Sequence, residues 1–171
     1  RMWNDGLEVV ESVEGAKALD TRGGMLVVLD ACCLRTLGPV WSRPNRFGDG
    51  VAGLYPASPD IGDGLTAAGK ELVRDCNRRR IMVDLSHMDE KGFWHTAEIS
   101  DAPLVASHSH AHVLSAQSRH PTDRPLAAIA ETNGLVRVTF AVPFLPEAAH
   151  RPCPTGLGAL VRPVESLLGN A

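Results

Sequence analysis

Two apolar runs that each end in Ser-His constrain this chain most: Ile81-Met82-Val83-Asp84-Leu85-Ser86-His87 and Pro103-Leu104-Val105-Ala106-Ser107-His108. Short runs without polar alternation suit strands of a parallel sheet buried on both faces, and the segment between them, 89–100, reads as a crossover helix. The two histidines stand 21 residues apart, so they occupy the same phase of successive βα units, just past the carboxyl ends of the strands. Neighbouring parallel strands lie about 4.8 Å apart, close enough for two such imidazoles to share one metal ion. In α/β proteins ligands and catalytic groups gather at that edge. A single histidine at a strand end is more often a hydrogen-bonded structural residue; two in phase favour metal.

The rest of the chain continues the alternation. Residues 7–13 read as a strand that delivers Glu14-Gly15 at its end, 25–33 carry apolar residues at helical spacing, and 34–37 form a second short strand. Residues 38–64 are rich in Gly, Pro, Asn and Asp and hold Trp41; a connection of that length in a compact domain is usually functional. Thr66 can cap a helix running to about Arg79, whose basic Arg78-Arg79-Arg80 end suits the helix dipole and a solvated face. Thr122 is placed to cap a further helix that stops at Asn133-Gly134, residues 135–140 make another strand, and 155–168 a last helix kinked at Pro163. Strands alternating with helices in this way predict an α/β architecture with a parallel sheet. A closed eight-stranded barrel typically takes about 250 residues, so this chain has room for about two thirds of one.

Composition sets limits on partners. A net charge of -3 offers no basic field for nucleic acid, and no run of about 18 apolar residues could serve as a transmembrane segment. The four cysteines lack Cys-x-x-Cys spacing, so neither a zinc finger nor a disulfide framework is indicated. Adjacent Cys32-Cys33 reads as buried helix packing, and a cytoplasmic, reducing compartment is the expectation.

The motifs Val13-Glu14-Gly15-Ala16, Gly64-Leu65-Thr66-Ala67-Ala68-Gly69, Asp84-Leu85-Ser86-His87, Ser107-His108-Ser109 and Ser118-Arg119 with Asp123 together resemble the renal or membrane dipeptidases. Those are dinuclear zinc peptidases on a (β/α)8 TIM barrel, and Gly38-Pro39-Val40-Trp41-Ser42-Arg43-Pro44-Asn45 looks like a bacterial branch. The resemblance implies a single partial barrel domain over residues 1–171, running from about the third strand to the seventh helix. It implies that Glu14 bridges two zinc ions and that His87 and His108 complete the ligands of one of them. A hydroxide held between the two metals would then hydrolyse the peptide bond of a dipeptide. It further implies that Arg119 grips the free carboxylate of the dipeptide substrate, since a planar guanidinium binds a carboxylate in bidentate fashion.

Several positions depart from that family pattern. A His-x-Asp pair for the second metal would lie upstream of Arg1, and the late catalytic Asp would lie beyond Ala171, so no catalytic residue is assigned and at most one zinc is supported by these residues. The segment alone is therefore expected to be inactive. Trp41 stands where many members place a substrate-contacting His, and His120 stands where Asn usually follows the arginine. His110 and His112 are expected on the segment after the strand and are not counted as ligands. The pattern allows a homodimer. Two other readings compete: an amidohydrolase-like enzyme acting on a non-peptide amide or a lactone, and a degenerate barrel serving as a binding module. Retention of Glu14, His87, His108 and Arg119 together weighs against the latter.

Overall fold

A threonine and an aspartate, each just ahead of an apolar stripe at helical spacing, set where the two central helices begin. In the computed structural model, which describes residues 25–139 apart from 32 and 52, the chain runs α1 (Met25–Ala31), β1 (Thr36–Leu37), α2 (Ala67–Arg79), β2 (Met82–Val83), α3 (Glu90–Ile99), β3 (Val105–Ser109), α4 (Asp123–Glu131) and β4 (Leu135–Val138). Thr66 caps α2 by accepting from the Gly69 N–H at 3.1 Å, and Asp89 caps α3 by accepting from the Gly92 N–H at 3.1 Å. Each thereby satisfies a donor that the first turn of a helix leaves without a partner. Thr122 precedes α4 as its sequence position predicts, but it makes no side-chain cap bond. Its hydroxyl instead donates to Glu90 Oε2 at 3.2 Å, so a tertiary partner on α3 sets its orientation.

The Asn133-Gly134 stop after α4 divides its two tasks between the residues. Asn133 takes the left-handed turn, with φ of 52°, while Gly134 is required by packing, because a Cβ there would lie 1.9 Å from the Leu104 carbonyl oxygen.

Among the described residues the named strands pair in parallel, as the apolar runs imply. Thr36 and Leu37 pair with Met82 and Val83, Val105 and Ala106 pair with Leu135 and Val136, and a single parallel bridge between Asp84 and Val105 joins the two halves. Spatial order therefore follows chain order, β1-β2-β3-β4, and among the described residues the row is open. Contacts run from α2 to α3 and from α3 to α4. The helices turn Leu72, Val73, Cys76, Phe93 and Ile129 onto Leu37, Val83, Leu85, Leu104 and Ala106 from the strand segments. Burying each such large aliphatic or aromatic side chain contributes about 1.5–3 kcal/mol. No helix among the described residues is long and apolar enough to cross a membrane.

Some expectations change. The strand predicted to run to Ser86 shortens to Met82–Val83, because beyond Asp84 the side chains of Asp84 and Ser86 replace the backbone ladder. The α1 helix ends at Ala31, and Cys33 is exposed in a left-handed turn with φ of 70°, so it is not helix packing; position 32 lies outside the described residues. So do the strand expected at 7–13 with Glu14, the end of the strand at 140, and the helix at 155–168.

The long connection 38–66 is packed onto the strand ends. Val40, Phe47 and Val51 are buried, and bridges tie Gly48 to Leu65 and Gly50 to Met88. Phe47 O accepts from Thr66 N at 2.9 Å and lies against the first turn of α2, where a Cβ on Gly69 would come within 1.9 Å of it. Helix propensity alone makes Gly69→Ala stabilising by about 1 kcal/mol. The crowding reverses that sign, and we expect Gly69→Ala to lower unfolding free energy by about 1–3 kcal/mol in urea titrations. An increase would mean that the Phe47 carbonyl yields freely.

Candidate metal centre

The site grows out of the seam between β2 and β3. Leu85 N still donates to Val105 O at 2.8 Å, but the next bonds come from side chains. Asp84 Oδ1 accepts from Ser86 N at 3.0 Å and from Ser107 N at 2.9 Å, and Ser86 Oγ accepts from His108 N at 3.0 Å. The Asp84-to-Ser86 bond is an Asx-type turn of the kind that draws a chain out of regular structure. His87 follows it with φ of 69°, a conformation uncommon for a residue with a Cβ. The turn is pinned from above by the long connection, whose Val51 N donates to His87 O at 2.8 Å.

These local bonds bring the two histidines together. His87 Nε2 lies 3.0 Å from His108 Nε2, with ring centroids 4.9 Å apart. The two are not at equivalent places, as the phase argument expected: His87 lies in the turn beyond β2, whereas His108 lies within β3. β3 runs further because β4 continues to pair with it as far as Ser109 and Val138.

Arg119 arrives from the segment between β3 and α4. Its Nη2 donates to His108 O at 2.8 Å and lies 3.4 Å from His87 Nε2. Ser118 holds this approach by donating its N–H to Leu54 O at 3.0 Å and accepting from Leu54 N at 3.1 Å. The indole of Trp41, half exposed at 52%, stands 5.7 Å from the His87 ring. Four of the residues singled out from the sequence, Trp41, His87, His108 and Arg119, therefore meet at one place. Glu14 lies outside the described residues, and no group of three His, Cys, Asp or Glu able to hold a metal forms among the described residues.

Burial governs the charge state. The His87 imidazole is pushed down to about 3 by burial, with the Arg119 and His108 charges adding to the effect. Burial also draws the Arg119 guanidinium down to about 10, with Asp84 opposing the shift, so it stays cationic at neutral pH. The pair thus consists of an imidazole that remains neutral at ordinary pH and a second one beside a permanent cation.

Proton placement tests whether such a pair fits a metal. The Ser107 hydroxyl has one proton and donates it to Asp84 Oδ2, so Ser107 Oγ accepts from His108 Nδ1 at 2.7 Å. His108 then carries its proton on Nδ1 and a lone pair on Nε2. The Arg119 guanidinium can only donate, and at 3.4 Å it is the more distant neighbour of His87 Nε2, which lies within hydrogen-bond reach of His108 Nε2. Without a metal, 3.0 Å is the length of an N–H···N hydrogen bond between the two rings, and a cation taking both Nε2 lone pairs would replace that proton. Zinc bonds of about 2.05 Å at a tetrahedral angle would separate two nitrogens by about 3.3 Å, so the pair needs to open only slightly.

Comparison with known proteins gives the family. The family model described as Membrane dipeptidase (Peptidase family M19) matches residues 1–157. The chain belongs to the membrane dipeptidase family. An uncharacterized Klebsiella pneumoniae protein from the pqqA 5' region is 44% identical over 162 residues, covering 95% of this chain and 60% of that protein. An uncharacterized Acinetobacter calcoaceticus protein from the PQQ-III 3' region is 41% identical, covering 95% of this chain and 51% of that one. A crystal structure of a metallo peptidase from Rhodobacter sphaeroides, liganded with a phosphinate mimic of the dipeptide L-Ala-D-Ala, matches with a TM-score of 0.84. It is 47% identical, over 90% of this chain and 44% of that one. The chain thus spans about half the length of the relatives it matches. Membership in this family of metallopeptidases implies a metal, and the donor set of His87 and His108 fits one.

Sequence reasoning quoted Asp84, Ser86 and Ser107 as motif letters and gave them no part in the site. The signal was available in their placement one to three residues before each histidine, where short polar side chains can bond nearby backbone. It also left His110 and His120 without a structural account. Both are buried, with rings 5.2 Å apart edge to face, and His120 Nδ1 donates to Ser115 O at 2.9 Å.

Burial leaves the His120 imidazole at about 4. For a histidine lowered from 6.5 on folding, the unfolded chain takes up protons first as pH falls. Its contribution is therefore present above about 6.5 and is lost as pH falls toward about 4. His87 acts with the same sign, whereas Asp89, raised by burial to about 6, opposes it below that pH. We expect the wild-type protein, freed of metal, to lose more unfolding free energy between pH 7 and pH 5 than His120→Gln does. The difference should approach about 1.4 kcal/mol per pH unit at most, and parallel curves would show that His120 is not held neutral.

Proposed function

We propose that the whole protein is a zinc-dependent dipeptidase, and that this segment forms part of a (β/α)8 barrel in which His87 and His108 hold one zinc ion at the carboxyl edge. The observation that carries the reading is the pair of Nε2 atoms 3.0 Å apart with a buried guanidinium beside them. It draws support from the family match and from the structural relative whose ligand is a phosphinate mimic of a dipeptide. Glu14, at the end of the first strand expected from the sequence, is proposed as the carboxylate that bridges this ion to a second one.

When bound, the metal supplies Lewis acidity toward the substrate carbonyl and a water acidic enough to attack near neutral pH. The residues of the chain do the rest. His87 and His108 present ring nitrogens 3.0 Å apart. Arg119 binds the dipeptide's free carboxylate, which limits substrates to those short enough to place a C-terminus beside the histidines. Trp41 provides an apolar wall 5.7 Å from the His87 ring and bounds the space for a substrate side chain.

Two measurements test this. Arg119 also donates to His108 O, so a loss of activity in Arg119→Ala cannot by itself report on the substrate. Comparing free and C-terminally amidated dipeptides in both proteins isolates the carboxylate contact. A hydrogen bond to a charged group is worth about 1.5–3 kcal/mol, so amidation should cost the wild type about one to two orders of magnitude in kcat/KM. The Ala variant should lose little further. Equal sensitivity in the two proteins would remove Arg119 from the substrate site. Chelation should abolish dipeptide hydrolysis, and added zinc should restore it in the wild type but not in His108→Ala; turnover that survives chelation would overturn the metal reading.

A further inference from the structure

His108 is held through its backbone as well as through its ring. Its N–H donates to Ser86 Oγ at 3.0 Å, its carbonyl accepts from Arg119 at 2.8 Å, and its Nδ1 meets Ser107 Oγ at 2.7 Å. Behind Ser107 stands Asp84, only 5% exposed. Its two carboxylate oxygens have separate partners: Oδ1 takes both backbone N–H groups of the seam, Ser86 and Ser107, and Oδ2 takes the Ser107 hydroxyl. Asp84 Oδ2 and His108 Nδ1 are 3.8 Å apart, too far for a direct hydrogen bond, and the Ser107 hydroxyl spans the gap.

A carboxylate can only accept, and a hydroxyl has one proton to give. The direction of the whole relay therefore follows from Asp84: Ser107 donates to the carboxylate and accepts from His108. We propose that Asp84, acting through Ser107, is a positioning residue that holds His108 in its Nδ1–H tautomer, so that Nε2 keeps its lone pair for a divalent cation. The assignment of the cation rests on the function proposed above; the tautomer does not. The usual partner of a metal-binding histidine's other nitrogen is a carboxylate, a carbonyl or a water, and its removal typically costs about 10–100-fold in metal affinity.

The isosteric substitution Asp84→Asn makes the relay testable, because it can keep the carbonyl oxygen on the two backbone N–H groups while replacing Oδ2 with an NH2 donor. Ser107 Oγ must then accept from residue 84 and donate to His108 Nδ1, which moves the imidazole proton to Nε2. In metal-free protein labelled with 15N-histidine, two-bond proton–nitrogen correlations at pH 8 should show Nδ1–H for His108 in the wild type and Nε2–H in Asp84→Asn. Zinc affinity should fall by about 10–100-fold in that variant. Ser107→Ala cuts the relay without touching the bonds to Asp84 Oδ1; it should abolish the tautomer preference without reversing it and weaken zinc binding similarly. A purely architectural Asp84 would lower thermal stability and leave the nitrogen assignment unchanged. The same Nδ1–H form in wild type, Asp84→Asn and Ser107→Ala would overturn the proposal, and Ser107→Ala alone decides it if the Asn variant does not fold. A wild-type protein that shows the Nδ1–H form but binds no zinc would refute the metal reading and support the tautomer assignment.

Discussion

The seam between β2 and β3 depends on one buried carboxylate. Asp84 lies where the parallel ladder stops, after its bridge to Val105, and its Oδ1 takes up the donors of Ser86 and Ser107 that would otherwise be left without partners. A buried donor without a partner costs about 1–3 kcal/mol, so two of them are a substantial fraction of a domain's net stability. Because these bonds come from a side chain, the backbone is free to leave the sheet at once. That exit carries His87 into a left-handed turn while β3 continues past it, and the two imidazoles meet with their Nε2 atoms 3.0 Å apart.

Around this seam the electrostatics keep the His87 imidazole neutral. Burial and the neighbouring Arg119 guanidinium both disfavour the protonated form of His87. A buried guanidinium is itself costly and is held here by the His108 carbonyl and by the negative charge of Asp84. One carboxylate thus sits behind both functions of the site, next to the histidine that presents a lone pair and next to the arginine that presents a positive charge. The long connection 38–66 adds the remaining restraint, closing over the strand ends through Val51 to His87 and Leu54 to Ser118. Its apolar residues Val40, Phe47 and Val51 are buried, which explains how a segment without regular structure can hold a site in place.

Family membership and local geometry bear on different questions. The match over residues 1–157 places the chain among metallopeptidases, while the tautomer, the turn at His87 and the approach of Arg119 are properties of this chain's own packing. Trp41 and His120 are positions at which this chain departs from the pattern that the family resemblance implied.

The sequence by itself determined the alternation of strand and helix, the parallel pairing and the helix starts at Thr66 and Asp89. Those follow from local periodicity and from short polar side chains that bond their own backbone neighbours. It also determined that His87 and His108 would lie near the same sheet edge, because each closes the apolar run of one of two consecutive βα units, although their equal phase did not hold. Only the tertiary structure decided how near. The distance between the Nε2 atoms depends on an early exit from β2, which depends in turn on Asp84 bonding a residue 23 positions away, and no local pattern encodes a contact of that separation. The same holds for Thr122, whose hydroxyl went to Glu90 across the helix pair, and for Gly69, where a neighbouring carbonyl outweighs helix propensity. Local chemistry selects which bonds a residue can make; packing selects which of them it does make.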